Sequence, residues 1–479
     1  SRARRHRGAR GAVPYNRPPM ASSRVTVIGG GFAGVECASL LARRGHRVRL
    51  LEMRPVRTTD AHATDRLAEM VCSNSFRSDN PGNAVGLLKR EMELLGSLVM
   101  EEARRAAVPA GDALAVDRDV FAAAVTARIS AEPLVDLVRE EAPSLPDPGD
   151  GFVVVATGPL TSPALSGALL AALGGETLYF YDSVAPIVEA SSLDTGVLFA
   201  ASRWGKGGGD DYLNVPLSRE EYERFVAELL AGEKVPFHDF EKAVFFEGCL
   251  PIEAMAERGP ETLRHGPMKP FGLRDPRTGR EPYAAVQLRQ DNLARSHFNL
   301  VGFQTKLKVG EQRRVFRTLP GLANAEFVRY GMLHRNTFLN GPEHLDRFFR
   351  WKRDGRVLFA GQVTGVEGYL ESAATGLLAG ATVAQLLEGR EPLPVPFSTA
   401  LGALSRHVSE SDPAHYAPMN VTFGLIDDSG IPPIRDRGKR REEIVRRALA
   451  SVAGWRDAAL GPAAGAEPIP ILTTQGETT

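Results

Sequence analysis

The sequence predicts an α/β protein in which one parallel-sheet domain is split by an inserted α+β domain. Three observations carry this expectation. A β-branched run, Val25-Thr26-Val27-Ile28, leads into the turn GGGFAG and then a helical stretch. A second unit of strand, glycine turn and helix returns near the other end of the chain, in RVLFAGQVTGVEGYLESAATG. Between them, from about residue 181 to 324, the texture changes to aromatic, glycine-rich and charged segments.

The first unit is the more specific. Gly29, Gly31 and Gly34 match G-x-G-x-x-G, with Gly30 inside the turn, and Glu52 closes the next strand in LLEMRP, followed by Arg54. In a Rossmann-like turn the first glycine permits the tight bend and the second lets backbone approach a pyrophosphate. The third lets helix and strand pack closely, and an acid about 20 residues on takes ribose hydroxyls. The helix N-terminus faces the anion. This reads as an adenine-dinucleotide site. A further apolar strand ends at Gly158 in GFVVVATG. The late unit adds Gly361, Gln362, Gly365, Glu367, Gly368 and Tyr369, which would bring amides and a second helix N-terminus to the cofactor's other half. A cofactor held at both ends of the chain favours FAD over NAD, which usually needs the first unit alone.

The expected organisation is a leader over 1–21, the FAD-binding domain over 22–180 and 325–445, an insertion over 181–324 for substrate, and a helix end with a disordered tail over 446–479. Within the insertion, SREEYERFVAELLAGE has helical spacing, and the basic FNLVGFQTKLKVGEQRR is expected to be extended. No solenoid-type repeat is present.

Composition bounds the function. The chain is 43% hydrophobic and 24% charged, with 58 Lys+Arg against 58 Asp+Glu. That balance counts against a DNA-coating role, so a nucleic-acid partner must be held by a local basic patch. Three scattered cysteines with no CxxC pair argue against a zinc ribbon and fit a reducing cytosol. No metal site is expected. No uninterrupted apolar run is long enough to suggest a membrane span. The basic first twenty residues lack the apolar core of a secretory signal. They read as an organellar presequence or, more simply, as a leader before a start at Met20.

Two cysteines stand in chemically suggestive places. Cys249, in FFEGCLPIEAMAERG, lies between Glu247 and Glu253, at a Gly–Pro turn followed by a basic run whose cations would favour a thiolate. Cys72, in AEMVCSNSFRSDNPGN, lies in a polar loop of the kind that lines cofactor clefts. Cys37, inside the first glycine helix, reads as structural. His334 and Arg335, in RYGMLHRNTF, fit stacking on a flat heterocycle and pairing with an anion, or a structural pair. Lys306 and Lys308 are candidates for gripping an RNA backbone, or a solvated face.

These motifs together resemble one family. VIGGGFAGVE, LEMRP, LAEMVCSNS, NAVGLLKREM, FYDSVAPIV, FEGCLPIEAMAERG, GPMKPFGL, AVQLRQDN, LVGFQTKLK, RYGMLHRNTF and AGQVTGVEGYLESAATG are similar to those of the folate- and FAD-dependent tRNA uridine C5-methyltransferases, the TrmFO family, over roughly Val25 to Leu425. The resemblance implies methylation of the tRNA T-loop uridine at position 54, with carbon from 5,10-methylenetetrahydrofolate and electrons from NAD(P)H through FAD. It implies Cys249 as the thiolate that adds to uracil C6, making C5 nucleophilic, with Cys72 as base or alternative thiol near the flavin; the roles are exchangeable. It also implies His334 against the folate pterin. A cytoplasmic monomer or homodimer is expected. The chain departs from the family pattern at Trp204-Gly205, where Tyr-Asp is usual, and at Val215 and Asp112. Two alternatives stay open: the longer sister family that builds carboxymethylaminomethyl groups on wobble uridines, and a flavin- and RNA-binding protein without catalysis. About fifty residues after Leu425 are few for the sister family's helical domain, and both cysteines argue against lost catalysis.

Overall fold

The computed structural model describes residues 24–59, 61–149, 151–174, 178–183, 185–235 and 250–461, with backbone alone for 178–183, 333–335 and 337. The chain opens with β1 (Val25–Ile28), the first glycine helix Phe32–Arg43, and β2 (Val48–Leu51). A three-stranded antiparallel ribbon follows: β3 (Ser75–Ser78), β4 (Ala107–Val108) and β5 (Ala113–Val116). Then come β6 (Val135–Val138) and β7 (Phe152–Val155). Val25, Val27 and Ile28 of β1 and Val153, Val154 and Val155 of β7 are buried, as strands covered on both faces require.

The next strands are β8 (Leu178–Ser183), β9 (Ile187–Glu189), β10 (Phe199–Ala200), β11 (Tyr212–Leu217), β12 (Ala284–Gln290), β13 (His297–Leu300), β14 (Phe327–Arg329) and β15 (Leu333–Phe338). β9 to β14 form an antiparallel sheet in the order β10-β11-β12-β13-β9-β14. Its own core includes Tyr222, Phe225, Phe303 and Phe316. The sheet thus takes in residues 327–329, just past the division expected at 324. β8 and β15 form a separate two-stranded antiparallel ribbon.

The chain then adds β16 (Arg350–Trp351), β17 (Asp354–Phe359) and the late glycine helix Tyr369–Leu387. The first sheet runs β16-β17-β7-β1-β2-β6, parallel except for the edge pair β16/β17. The late helix is long and apolar enough to cross a membrane, yet it lies buried against the first glycine helix. A side chain at Gly376 would collide with the Ala33 backbone, and one at Gly380 would come within 3.3 Å of Cys37. Small residues let the two backbones approach. Cys37 sits in this crossing, fully buried, its thiol pushed up to about 12 by burial; it packs as a small apolar group.

Two expectations need correction. The segment Val309–Phe316 is a helix, not extended. Gln312, Val315 and Phe316 recur on one face and bury themselves in the second core, which decides against the strand. The terminal helix Arg437–Leu460 is unbroken through residue 445, and Ile444, Ala448, Val452 and Trp455 pack into the first core. It therefore belongs to the parallel-sheet unit on both sides of the expected division.

Candidate functional site

The first glycine turn builds a cradle. Gly29 has a φ of 105°, and a side chain there would strike Ala156 at the end of β7. A side chain at Gly34 would collide with the Gly29 carbonyl, so helix and strand close tightly. Gly31 faces open space, with nothing within 4 Å of where a Cβ would stand. It begins the helix without a side-chain cap, leaving N–H groups directed outward, as anion binding uses them. Beside this turn lies a cleft of about 540 Å³ lined by Gly29, Gly30, Gly31, Glu52, Arg54 and Thr157, among others. Gly158, with a φ of 65°, follows Thr157 at its rim.

Glu52 is already partly committed. One oxygen accepts from the Gly30 amide at 3.0 Å; the other accepts from the Arg54 amide at 3.0 Å and Nε at 2.8 Å. Burial works against its ionisation, but Arg54's hydrogen bonds and charge outweigh it and hold the carboxyl below its ordinary value. Arg54 also reaches Glu69 at 3.2 Å. Each carboxylate oxygen can accept more than one hydrogen bond, so Glu52 retains capacity for ribose hydroxyls while fixing the turn. His62, on the same cleft, is pushed down to about 4 by burial and by Arg54, so it is neutral at pH 7.

The late turn lies alongside. The Gly361 amide donates to Thr375 Oγ1 at 2.7 Å, and Gly361, Gly365 and Gly368 all take left-handed φ values of 85°, 90° and 108°. Gln362 Nε2 donates to Glu367 at 2.5 Å. Gly368 starts the late helix, again without a side-chain cap. The rings of Phe32 and Tyr369, at the two helix starts, stack at 4.7 Å. Two uncapped helix N-termini therefore converge at one place, and the residues present fit a bound dinucleotide.

Cys72 stands at this convergence. Its amide donates to the Tyr369 hydroxyl at 2.8 Å, and its Sγ lies 2.9 Å from the same oxygen. Burial and the neighbouring Cys72 charge push the Tyr369 phenol well above its ordinary value, so it stays protonated and available to donate to a thiolate. Ser73 Oγ accepts from Arg289 at 2.8 Å, and Asn74 Oδ1 accepts from Arg289 Nε at 2.9 Å. Arg118 donates to the Met70 carbonyl at 3.2 Å and pairs with Asp291 at 2.9 Å. Arg289 lies on β12, so the Cys72 loop is stitched to the second sheet. Arg289 and Arg329 both feel the charge of Cys72. Arg289 is buried, and Arg118 and Arg329 are half-buried.

Other expected residues fall elsewhere. Cys249 lies outside the described residues. His334 and Arg335 sit on β15 opposite Asp182 and Tyr181 of β8; their side chains are not described. Lys306 is half-buried, and its amide donates to buried Glu253 at 2.6 Å. Lys308 is exposed and ion-paired with Glu233. Arg118, Arg289 and Arg329 were not singled out from sequence. The usable signal was Arg289 within AVQLRQ, a strand buried at every position, where a charge needs a partner.

Residues 24–391 match the family model described as glucose inhibited division protein A. A relative from Geobacter sulfurreducens (strain ATCC 51573 / DSM 12127 / PCA) is 57% identical over 90% of this chain and 98% of its own length. It is named methylenetetrahydrofolate–tRNA-(uracil-5-)-methyltransferase TrmFO. This chain belongs to the TrmFO family. TrmFO relatives from Pelotomaculum thermopropionicum (strain DSM 13744 / JCM 10971 / SI), covering 92% of this chain and 100% of their own, and Myxococcus xanthus (strain DK1622), covering 92% and 97%, are each 53% identical. The fold matches Aquifex aeolicus GidA with a TM-score of 0.64 at 16% identity, over 91% of this TrmFO-family chain and 76% of that one.

Proposed function

We propose that this protein methylates C5 of a tRNA uridine, the T-loop uridine at position 54, with the methylene carbon of 5,10-methylenetetrahydrofolate, as an FAD-dependent enzyme. The observation that carries this is Cys72, held by Tyr369 between two uncapped helix N-termini in a loop fastened by the buried Arg289, in a chain of the TrmFO family. Gly29, Gly30, Gly31, Glu52, Arg54 and the turn Gly361–Tyr369 would hold FAD, which when bound supplies the reducing electrons, drawn from NAD(P)H.

The rest is work for the protein's own groups. Uracil C5 is a weak nucleophile, and a cysteine thiolate adding at C6 activates it. Cys249 is proposed as that nucleophile. Cys72 is proposed to remove the C5 proton or to serve as the alternative thiol. Tyr369 orients the Cys72 sulfur, and Arg289 fixes the loop that carries it. His334 and Arg335 are proposed to face the folate, and residues 181–324 to face the tRNA. A tRNA substrate implies action in the cytoplasm.

The test is direct. Purified protein is incubated with NADPH, unmodified tRNA and methylenetetrahydrofolate labelled in its methylene carbon. Label recovered as 5-methyluridine in the T-loop supports the reading. A yellow protein that is reduced normally but leaves tRNA unlabelled would sink it.

A further inference from the structure

Two large apolar rings stand in solvent on two loops, 203–205 and 269–272, that hydrogen-bond to one another. Trp204 is 71% exposed and Phe271 is 45% exposed. Single exposed apolar residues are ordinary, but this pair is constructed. The Trp204 amide donates to the Gly272 carbonyl at 3.0 Å. The Arg203 guanidinium donates to the carbonyls of Lys269 at 2.5 Å and Phe271 at 3.2 Å. The indole lies so close over Gly272 that any side chain there would overlap its ring atoms. Trp204 also adopts a left-handed φ of 58°, which bulky residues avoid. The loop holds its indole outward against that preference.

The surroundings are basic. From residue 258 to 281 the chain has Arg258, Arg264, Lys269, Arg274, Arg277 and Arg280 against Glu261, Asp275 and Glu281, the last accepting from the Gly272 amide at 3.0 Å. Lys269, Arg274 and Arg280 are exposed. The position matters as well. Arg203 Nε donates to Gln287 on β12 at 2.8 Å. Gln287 and Arg289 share one face of that strand, and Arg289 holds Ser73 next to Cys72. The ring pair is thus tied by a short relay to the loop carrying the proposed chemistry.

We infer that Trp204 and Phe271 form a stacking platform for nucleobases of the tRNA, with the flanking cations taking its phosphates. Flat apolar rings among cations are what unstacked bases require. This inference rests on the tRNA-methyltransferase reading above.

The test is a titration of flavin-loaded protein with unmodified tRNA, followed by tryptophan emission and by filter binding. The other tryptophans, Trp351 and Trp455, are less exposed, so Trp204 dominates any quenching. Trp204→Ala is expected to weaken tRNA binding about tenfold and remove most of the quench, and Phe271→Ala to weaken it several-fold. Trp204→Phe is expected to stay within about threefold of wild type, because it keeps a flat ring. Flavin content reports folding for each variant. Both alanine variants, flavin-loaded and binding tRNA like wild type, would overturn the platform. A wild-type protein that neither binds nor methylates tRNA would overturn the functional reading itself, and the platform with it.

Discussion

The parallel-sheet unit and the antiparallel second sheet solve different problems. In the first, the candidate cofactor site is built from backbone: glycine turns, two uncapped helix starts and one carboxylate that braces a turn. In the second, the groups proposed to act are side chains: Arg289, which reaches the Cys72 loop, and Arg203 and Trp204 on its own surface. Cys72 lies on the seam, carried by the first unit and fastened by the second. A cofactor of fixed shape suits a rigid backbone cradle. A large polyanion suits dispersed cations and rings.

The largest expected effect is at the seam. Cys72→Ala should lower single-turnover methylation on the order of a hundredfold or more while the protein stays yellow. Tyr369→Phe should lose part of the rate and displace its pH profile. Wild-type turnover by the Cys72 variant would remove Cys72 from the chemistry and leave it a packing residue.

Next is the ion pair that joins the units. Arg118 and Asp291 are about nine-tenths buried. Asp291→Ala leaves a buried guanidinium without its carboxylate, and should cost about 3 kcal/mol in urea unfolding. If the two units unfold separately in that variant, the seam is confirmed as the weak plane. An unchanged midpoint would mean that other contacts hold the units together.

Within the first unit, Glu91 is fully buried and accepts from the amides of Ala400 and Leu401, both at 2.8 Å. Burial raises its pKa from 4.5 to about 8. Between those values the folded state binds the extra proton, so the contribution to stability is complete below 4.5 and is lost as pH rises through about 8. Glu91→Gln should remove that slope, about 3 to 4 kcal/mol between pH 5 and 8. Parallel pH curves for wild type and variant would show that Glu91 is ionised throughout.

The smallest effect lies on the second unit's surface. Lys308 is exposed and paired with Glu233. Lys308→Ala should shift the thermal midpoint by no more than about 2 °C. If Lys308 does contact phosphate, the salt dependence of tRNA binding should fall by about one unit of slope. No change in slope would leave it a solvated lysine.

Much of this was legible in residue order. The two glycine turns, their strands and helices, the structural role of Cys37 and the polar loop around Cys72 were all readable, because each depends on neighbouring residues. The helix Val309–Phe316 was not, since its charged face resembles an extended basic strand until Phe316 and Val315 are seen in the second core. Arg118 and Arg329 were not, since nothing adjacent to them announces a partner so far along the chain; Arg289 carried a signal in AVQLRQ, but not the identity of its partners.

The sequence alone determined the backbone chemistry: where the chain can turn left-handed, where two segments can touch, and which helices start without a cap. Those properties are local and follow from side-chain size and branching. Only the tertiary structure decided what surrounds Cys72. Tyr369 and Arg289 lie 297 and about 216 residues away from this loop, and a buried charge acquires its meaning from the groups that long-range packing sets against it.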